Sequence, residues 1–280
     1  MIPKSGYRFS DKIMRKKKKG SAHMKASELF DLTGRVALVT GASSGLGVRF
    51  SEVLAENGAK VVLVARRAER LEALKKKIET AGGQAIAVEA DVLDRDAMKR
   101  AFDAAEKTFG TVTILINNAG VTHADRVTDM PEETWRRVTG TNLDAVLYWA
   151  QEAAKRMIAA KKPGAIVNIA SILGYGVSKG VAAYSVAKAG VVQLTKALAV
   201  ELAFKGVRVN AIAPGYIMTE INEEYLKGHP DMTRNIPVGR IGETRDLDGA
   251  LLLLASDASR FMAGATIVVD GGQLLAIAGA

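Results

Sequence analysis

The chain has 280 residues, 48% hydrophobic and 25% charged, enough to build a substantial core in one globular domain. Without a single cysteine it has no disulfide, thiolate metal site or cysteine nucleophile, and its three histidines (His23, His123, His229) stand too far apart for metal-ligand spacing, so no metal is expected. The formal charge is +9, but residues 1–24 carry eight Lys/Arg against one acid, leaving only +2 for residues 25–280, so the body offers no nucleic-acid surface.

Residues 1–24 lack the apolar run of a secretory signal. Lys16 to Lys19 read as a polyanion-binding patch or as a solvated tail, and Gly20 to Met24 look like a cloning junction ahead of a start at Met24. The expectation is a disordered leader added for expression. No window of eighteen apolar residues occurs, so no membrane span is expected, and the absence of cysteine suits a cytoplasmic setting.

Residues 35–40 form a continuous apolar run, the mark of a buried strand. It leads into Gly41, Ser43, Ser44, Gly45, Leu46 and Gly47, then a helical pattern over 48–57. Strand, glycine turn and helix in that order predict a phosphate site, because glycines allow close backbone approach and the helix N-terminus faces a pyrophosphate. A second strand over 60–65 ends at Arg66 and Arg67. An acid there would bind an adenosine 2′-hydroxyl, whereas an arginine fork suits a 2′-phosphate. NADP(H) is therefore the favoured cofactor. NAD(H) stays open if the arginines only begin a basic helix with Arg70.

A third strand over 85–90 is followed by Asp91 and Val92. Asp91 would accept from an adenine amino group or cap the next helix. A fourth strand over 113–116 opens into Asn117, Asn118, Ala119 and Gly120, which fit either a backbone wall against a ribose or a turn tying neighbouring strands. A long helix over 135–157 contains Asn142, a residue that competes for backbone hydrogen bonds and disturbs a helix. It would organise a water beside the ammonium of Lys188.

A fifth strand over 165–170 ends at Ser171, and the helix over 184–204 places Tyr184 and Lys188 one turn apart on one face. A free phenol titrates near 10 and is a poor base near neutrality; an adjacent ammonium lowers that value. The tuned phenol exchanges a proton with a carbonyl or alcohol oxygen while the serine hydroxyl holds the same oxygen. A sixth strand over 207–212 leads to Pro214, Gly215, Ile217 and Thr219, and residues 217–240 read as a mobile cover over substrate. A helix over 245–254 and a strand over 265–270 complete the chain. Seven strands alternating with helices predict one α/β domain over residues 25–280, a Rossmann-type, doubly wound parallel sheet with helices on both faces.

Thr40-Gly41-x3-Gly45-x-Gly47, Asn117-Asn118-Ala119-Gly120, Asn142, Ser171, Tyr184-x3-Lys188, Pro214-Gly215 and Val269-Asp270-Gly271-Gly272 stand in one order. With these motifs residues 30–274 resemble the short-chain dehydrogenase/reductase family, loosely closest to 3-oxoacyl-carrier-protein reductases and sugar-acid dehydrogenases. The resemblance implies Tyr184 as general acid/base, Lys188 on the nicotinamide ribose, Ser171 on the reacting oxygen and Asn142 on a relay water. It implies the backbone near Ile217, with Thr219, on the carboxamide, Asp91 and Val92 on the adenine, and a homotetramer. Ser44 stands where many NADP-dependent relatives carry a basic residue, so cofactor preference rests on Arg66 and Arg67.

The expected activity is hydride transfer between NADP(H) and a ketone or secondary alcohol: a neutral ketone, a sugar-derived ketone or a 3-oxoacyl ester. The alternative is a protein that senses the nucleotide without turning it over. His123 is placed to hydrogen-bond substrate or to serve as an ordinary loop histidine.

Overall fold

The computed structural model describes residues 25–220, 222–228 and 230–276. The expected leader over 1–24 lies outside the described residues. Each apolar run forms a strand: β1 (Val36–Thr40), β2 (Lys60–Ala65), β3 (Gln84–Glu89), β4 (Ile114–Asn117), β5 (Gly164–Ile169), β6 (Val207–Pro214) and β7 (Thr266–Val269). All pair in parallel, in the order β3-β2-β1-β4-β5-β6-β7. Parallel strands need crossovers, and the helices supply them: α1 (Gly45–Glu56), α2 (Ala68–Thr80), α3 (Arg95–Thr108), α4 (Glu132–Thr139), α5 (Ala145–Ala159), α6 (Ala182–Leu202), α7 (Glu223–Gly228) and α8 (Asp248–Ala255).

The continuous apolar strands follow from burial on both faces. From β1, Ala37 and Val39 point into a cluster with Phe50 and Leu54 of α1, Leu71 and Ile78 of α2 and Leu251 of α8. Val36 and Leu38 point the other way, to Phe102 of α3, Trp149 of α5 and Ala199 of α6. Phe102 and Trp149 are fully buried with ring centroids 5.8 Å apart; each such side chain contributes about 2–3 kcal/mol. Strand order reverses at β1, whose neighbours β2 and β4 send their crossovers to opposite sides. That opens a crevice at the C-terminal ends of the strands.

Three expectations change. The helix beginning at 48 starts instead at Gly45, inside the glycine turn. The helix expected over 135–157, with Asn142 disturbing it, starts earlier, at Glu132, and is divided around Asn142: α4 stops at Thr139, Gly140–Asp144 forms a π turn, and α5 resumes at Ala145. The cause sits in the turn, where the buried Asn142 spends its amide on the chain after β4. Its Nδ2 donates to Val121 O at 2.7 Å and its Oδ1 accepts from Val121 N at 3.1 Å. The segment over 217–240 is less irregular than expected. Ile217 bridges to Gly242, and α7 and a 3-10 turn (Pro230–Asn235) follow. Among the described residues no helix is long and apolar enough to cross a membrane.

Candidate active site

The glycine turn lies between β1 and α1, at the crevice. Gly41 and Gly45 have φ of 68° and 52°, a region that disfavours side chains. Gly47 is fixed by space: a Cβ there would lie 2.1 Å from Gly41 O. The Thr40 hydroxyl accepts from Asn118 N and Ala119 N, each at 3.1 Å, and donates to Ile116 O at 3.3 Å. Asn118 Nδ2 donates to Thr40 O at 3.0 Å. The Asn118–Gly120 stretch therefore ties the ends of β1 and β4, the second of its two expected roles. Gly120 also gives Asn142 room, since a Cβ there would stand 2.7 Å from Asn142 Oδ1.

The two arginines after β2 do different things. Arg67 donates from Nε and Nη2 to Ser43 Oγ at 3.1 and 3.0 Å, so it braces the turn. Arg66 is 74% exposed at its side chain, with Nη1 3.9 Å from Asp91 Oδ2, and keeps most of its fork for another partner. Asp91 does not cap the next helix. Its Oδ1 accepts from Leu93 N at 2.9 Å, while Asp94 caps α3 by accepting from Asp96 N and Ala97 N. Val92 O accepts from Trp149 Nε1 at 3.0 Å, which anchors this edge to α5.

The chemistry collects at the end of β5. Ser171 is buried, caps a 3-10 turn (Ile172–Gly174) by accepting from Leu173 N at 3.1 Å, and its hydroxyl lies on the Tyr184 phenol's side of the site, where it favours the phenolate. Gly174 lets that turn lie on α6, where a Cβ would meet Lys188 O at 2.8 Å. Lys188 is 4% exposed, its Nζ donates to Ile169 O at 2.7 Å, and it lies 5.5 Å from the centroid of the Tyr184 ring. Burial lowers the Lys188 ammonium to about 8. The Tyr184 phenol moves opposite to the expectation from sequence: burial pushes it up, and the Ser171 hydroxyl offsets this in part. A half-buried phenol loses solvation of its anion, and in the protein alone that outweighs the lowering effect of the Ser171 hydroxyl. Asn142 has both ends of its side-chain amide on the backbone of Val121.

The far wall comes from β6. Gly215 packs on Asp270, where a Cβ would lie 2.6 Å from Asp270 Cβ, and Gly215 N donates to Val269 O at 3.0 Å. Ile217 is buried, Met218 N donates to Gly242 O at 2.8 Å, and Gly242 N donates to Tyr216 O at 2.9 Å. Thr219 lies over the glycine turn, 3.3 Å from where a Gly45 Cβ would stand. Sequence reasoning missed three residues here. Asn222 accepts from Thr219 N and Thr219 Oγ1 and donates to Ile217 O, a local Thr-x-x-Asn spacing that was there to be read. Thr40 hides its hydroxyl's role at a strand end. Arg70 pairs with Glu220 at 2.6 Å across 150 positions, which no local pattern reveals.

A doubly wound parallel sheet with a glycine turn at its reversal point and a Ser–Tyr–Lys cluster at the same end defines a dinucleotide-dependent oxidoreductase. A family model described as enoyl-(acyl carrier protein) reductase matches residues 41–273. The chain belongs to the short-chain dehydrogenase/reductase family. It is 38% identical over 248 residues to L-rhamnose 1-dehydrogenase (NAD(P)(+)) of Azotobacter vinelandii, covering 86% of this chain and 97% of that protein. It is likewise 38% identical over 243 residues to a 3-oxoacyl-acyl-carrier-protein reductase of Staphylococcus aureus, covering 85% and 98%. A crystal structure of gluconate 5-dehydrogenase from Burkholderia cenocepacia J2315 in complex with NADP and tartrate superposes with a TM-score of 0.86 at 34% identity, covering 90% of this chain and all of that one. The chain is an NAD(P)-dependent oxidoreductase acting on alcohol and ketone groups, and nothing in these relatives supports a sensor without turnover.

Proposed function

We propose that the protein interconverts a ketone and a secondary alcohol, with NADP(H) preferred over NAD(H). The observation that carries this is the buried Lys188 nitrogen, bonded to Ile169 O and 5.5 Å from the centroid of the Tyr184 ring, with the Ser171 hydroxyl beside the same phenol, at the sheet end that holds the glycine turn. The crevice fits a dinucleotide: the Gly41–Gly47 turn is packed too tightly for side chains at Gly45 or Gly47, which leaves backbone to face a phosphate, and Arg66 would offer its exposed fork to a 2′-phosphate. A nicotinamide dinucleotide held by the Gly41–Gly47 turn and Arg66 would supply or take up the hydride. Tyr184 passes the matching proton to or from the substrate oxygen, and Ser171 donates a hydrogen bond to that oxygen as charge develops on it. Lys188 would favour the phenolate and bind the nicotinamide ribose. Asn142 positions the chain after β4. The backbone near Ile217, with Thr219, closes on the carboxamide, and Asp91 with Val92 borders the adenine.

Tyr184→Phe keeps the ring and removes the proton carrier. It should lower kcat for NADPH-dependent ketone reduction by at least about a hundredfold, with NADPH binding by fluorescence titration unchanged; a fully active variant would overturn the assignment. We further propose a homotetramer in the cytoplasm. Edge strand β7 and nearby surfaces expose Phe261, Val268 and Leu275, and α6 with the 3-10 turn after it (Ala203–Lys205) exposes Val200 and Phe204, apolar area of the kind that second copies cover. The cysteine-free composition fits a cytoplasmic location.

A further inference from the structure

Three arginines stand where β2 passes into α2, and each has its own partner. Arg67 donates to Ser43 Oγ, and Arg66 lies 3.9 Å from Asp91 Oδ2. Arg70, in the first turn of α2, donates from Nη1 to Glu220 Oε2 at 2.6 Å. Glu220 comes from the far half of the chain, directly after Thr219, whose Cβ and Cγ2 lie 3.3 Å from where a Gly45 Cβ would stand. Asn222 fixes that approach, because its amide joins Thr219 to Ile217 O. The covering segment therefore delivers a carboxylate to the rim of the crevice, between the glycine turn and the first turn of α2.

The side chains of this pair are 48% and 62% exposed, so the contact adds little to the stability of the fold. Its larger effect is on charge. Arg70 would otherwise stand beside Arg66 as a second cation for a phosphate, and Glu220 neutralises it. We infer that Glu220 is a cofactor-discriminating residue: it holds Arg70 away from the 2′-phosphate of NADP(H) and sets a like charge near that group. The preference for NADP(H) over NAD(H) is thereby kept below what the arginines alone would give. This rests on the reading above that the Arg66 side of the crevice takes the 2′-phosphate.

Discrimination between two ligands is a difference of affinities, and a repulsive group sets it as much as an attractive one. NADP(H) and NAD(H) share the pyrophosphate and differ only in the 2′-phosphate. A carboxylate at that rim weakens the first and leaves the second nearly untouched. Arg67 cannot compensate, since its Nε and Nη2 are both on Ser43. Glu69 lies in the same turn as Arg70, but adjacent helical positions do not face each other, so it does not share the face on which Glu220 meets Arg70.

The test reads equilibrium binding, by fluorescence titration of NADPH and NADH on the full chain. Glu220→Gln should raise the ratio of the NADH to the NADPH dissociation constant about threefold or more. Arg70→Ala leaves the acid without its counter-charge and should lower that ratio by a similar factor. The double variant removes one charge of each sign and should return to within about twofold of the wild type. Opposite shifts from the two members of one pair are the signature of charge acting on the phosphate. A pair that only fastened the covering segment would weaken both dinucleotides alike in both variants; that result, or unmoved ratios, would overturn the inference while leaving the NADP(H) reading intact. An Arg66→Ala variant that kept the wild-type ratio would defeat the 2′-phosphate reading, and the inference with it.

Discussion

Lys188 shows how one residue sets the cost of a catalytic site. Its ammonium is lowered to about 8 by burial, against about 10.4 in an unfolded chain. Between those values the unfolded state binds a proton that the fold does not, so stability rises with pH across the window. Below about 8 both states are protonated and the full burial cost is felt, on the order of 3 kcal/mol. Tyr184, raised by burial, acts with the opposite sign once pH passes about 10. Urea melts of the cofactor-free protein from pH 7 to pH 10 should therefore show rising stability in the wild type. Lys188→Met should flatten that rise while abolishing turnover; an unchanged slope would place the titration elsewhere. Arg66 makes the second residue-scale prediction. Arg66→Ala should raise KM for NADPH about tenfold to a hundredfold, the size of a lost charge-assisted bond, and leave KM for NADH unchanged in initial-rate assays. Arg66 and Arg67 were legible in sequence as a pair, but their division of labour was not. It depends on the Ser43 hydroxyl standing where Arg67 reaches it, a contact across 24 positions.

Among the elements, the strands were the most legible. Burial on both faces turns them into unbroken apolar runs, and the observed boundaries of β1, β3 and β5 fall within a residue of those read from the runs. The glycine turn was legible for a different reason, since φ of 68° at Gly41 and the contact of Gly47 with Gly41 O both demand glycine. Gly47→Ala should cost on the order of 2 kcal/mol or more in thermal unfolding and remove NADPH binding, as the turn opens to admit a methyl group. Retained NADPH binding at full stability would show that the turn yields at no cost. A disturbance at Asn142 was legible, but its form as a π turn was not. Gly140 to Asp144 suit an α-helix tolerably, and only the pairing of Asn142 with Val121, a contact settled by tertiary structure, selects the wider turn. The covering segment was read as a loop because it is short of apolar periodicity; its order comes from Asn222 and from the Arg70–Glu220 pair.

For the whole molecule, the sheet order places an unpaired edge at β7 beside Phe261 and Leu275, and light scattering on a sizing column should report four chain masses. Phe261→Asp with Leu275→Asp should reduce the particle to a smaller assembly without unfolding it. A monomeric wild type would dismiss the tetramer. The fold class was legible from strand count and alternation, whereas the oligomer was implied by resemblance alone, since an exposed apolar residue on a monomer looks the same in sequence as a buried one.

The tie between β1 and β4 also has a consequence for how the molecule is made. β1, β2 and β3 are contiguous in the chain and emerge first from the ribosome, but the Thr40 hydroxyl meets the N–H groups of Asn118 and Ala119 only after some eighty further residues are synthesised. The nucleotide crevice does not exist until β4 docks. The cofactor therefore has no hold on the nascent chain before β4 is made, and its stabilising influence begins only once Asn118 and Ala119 have been added and have docked.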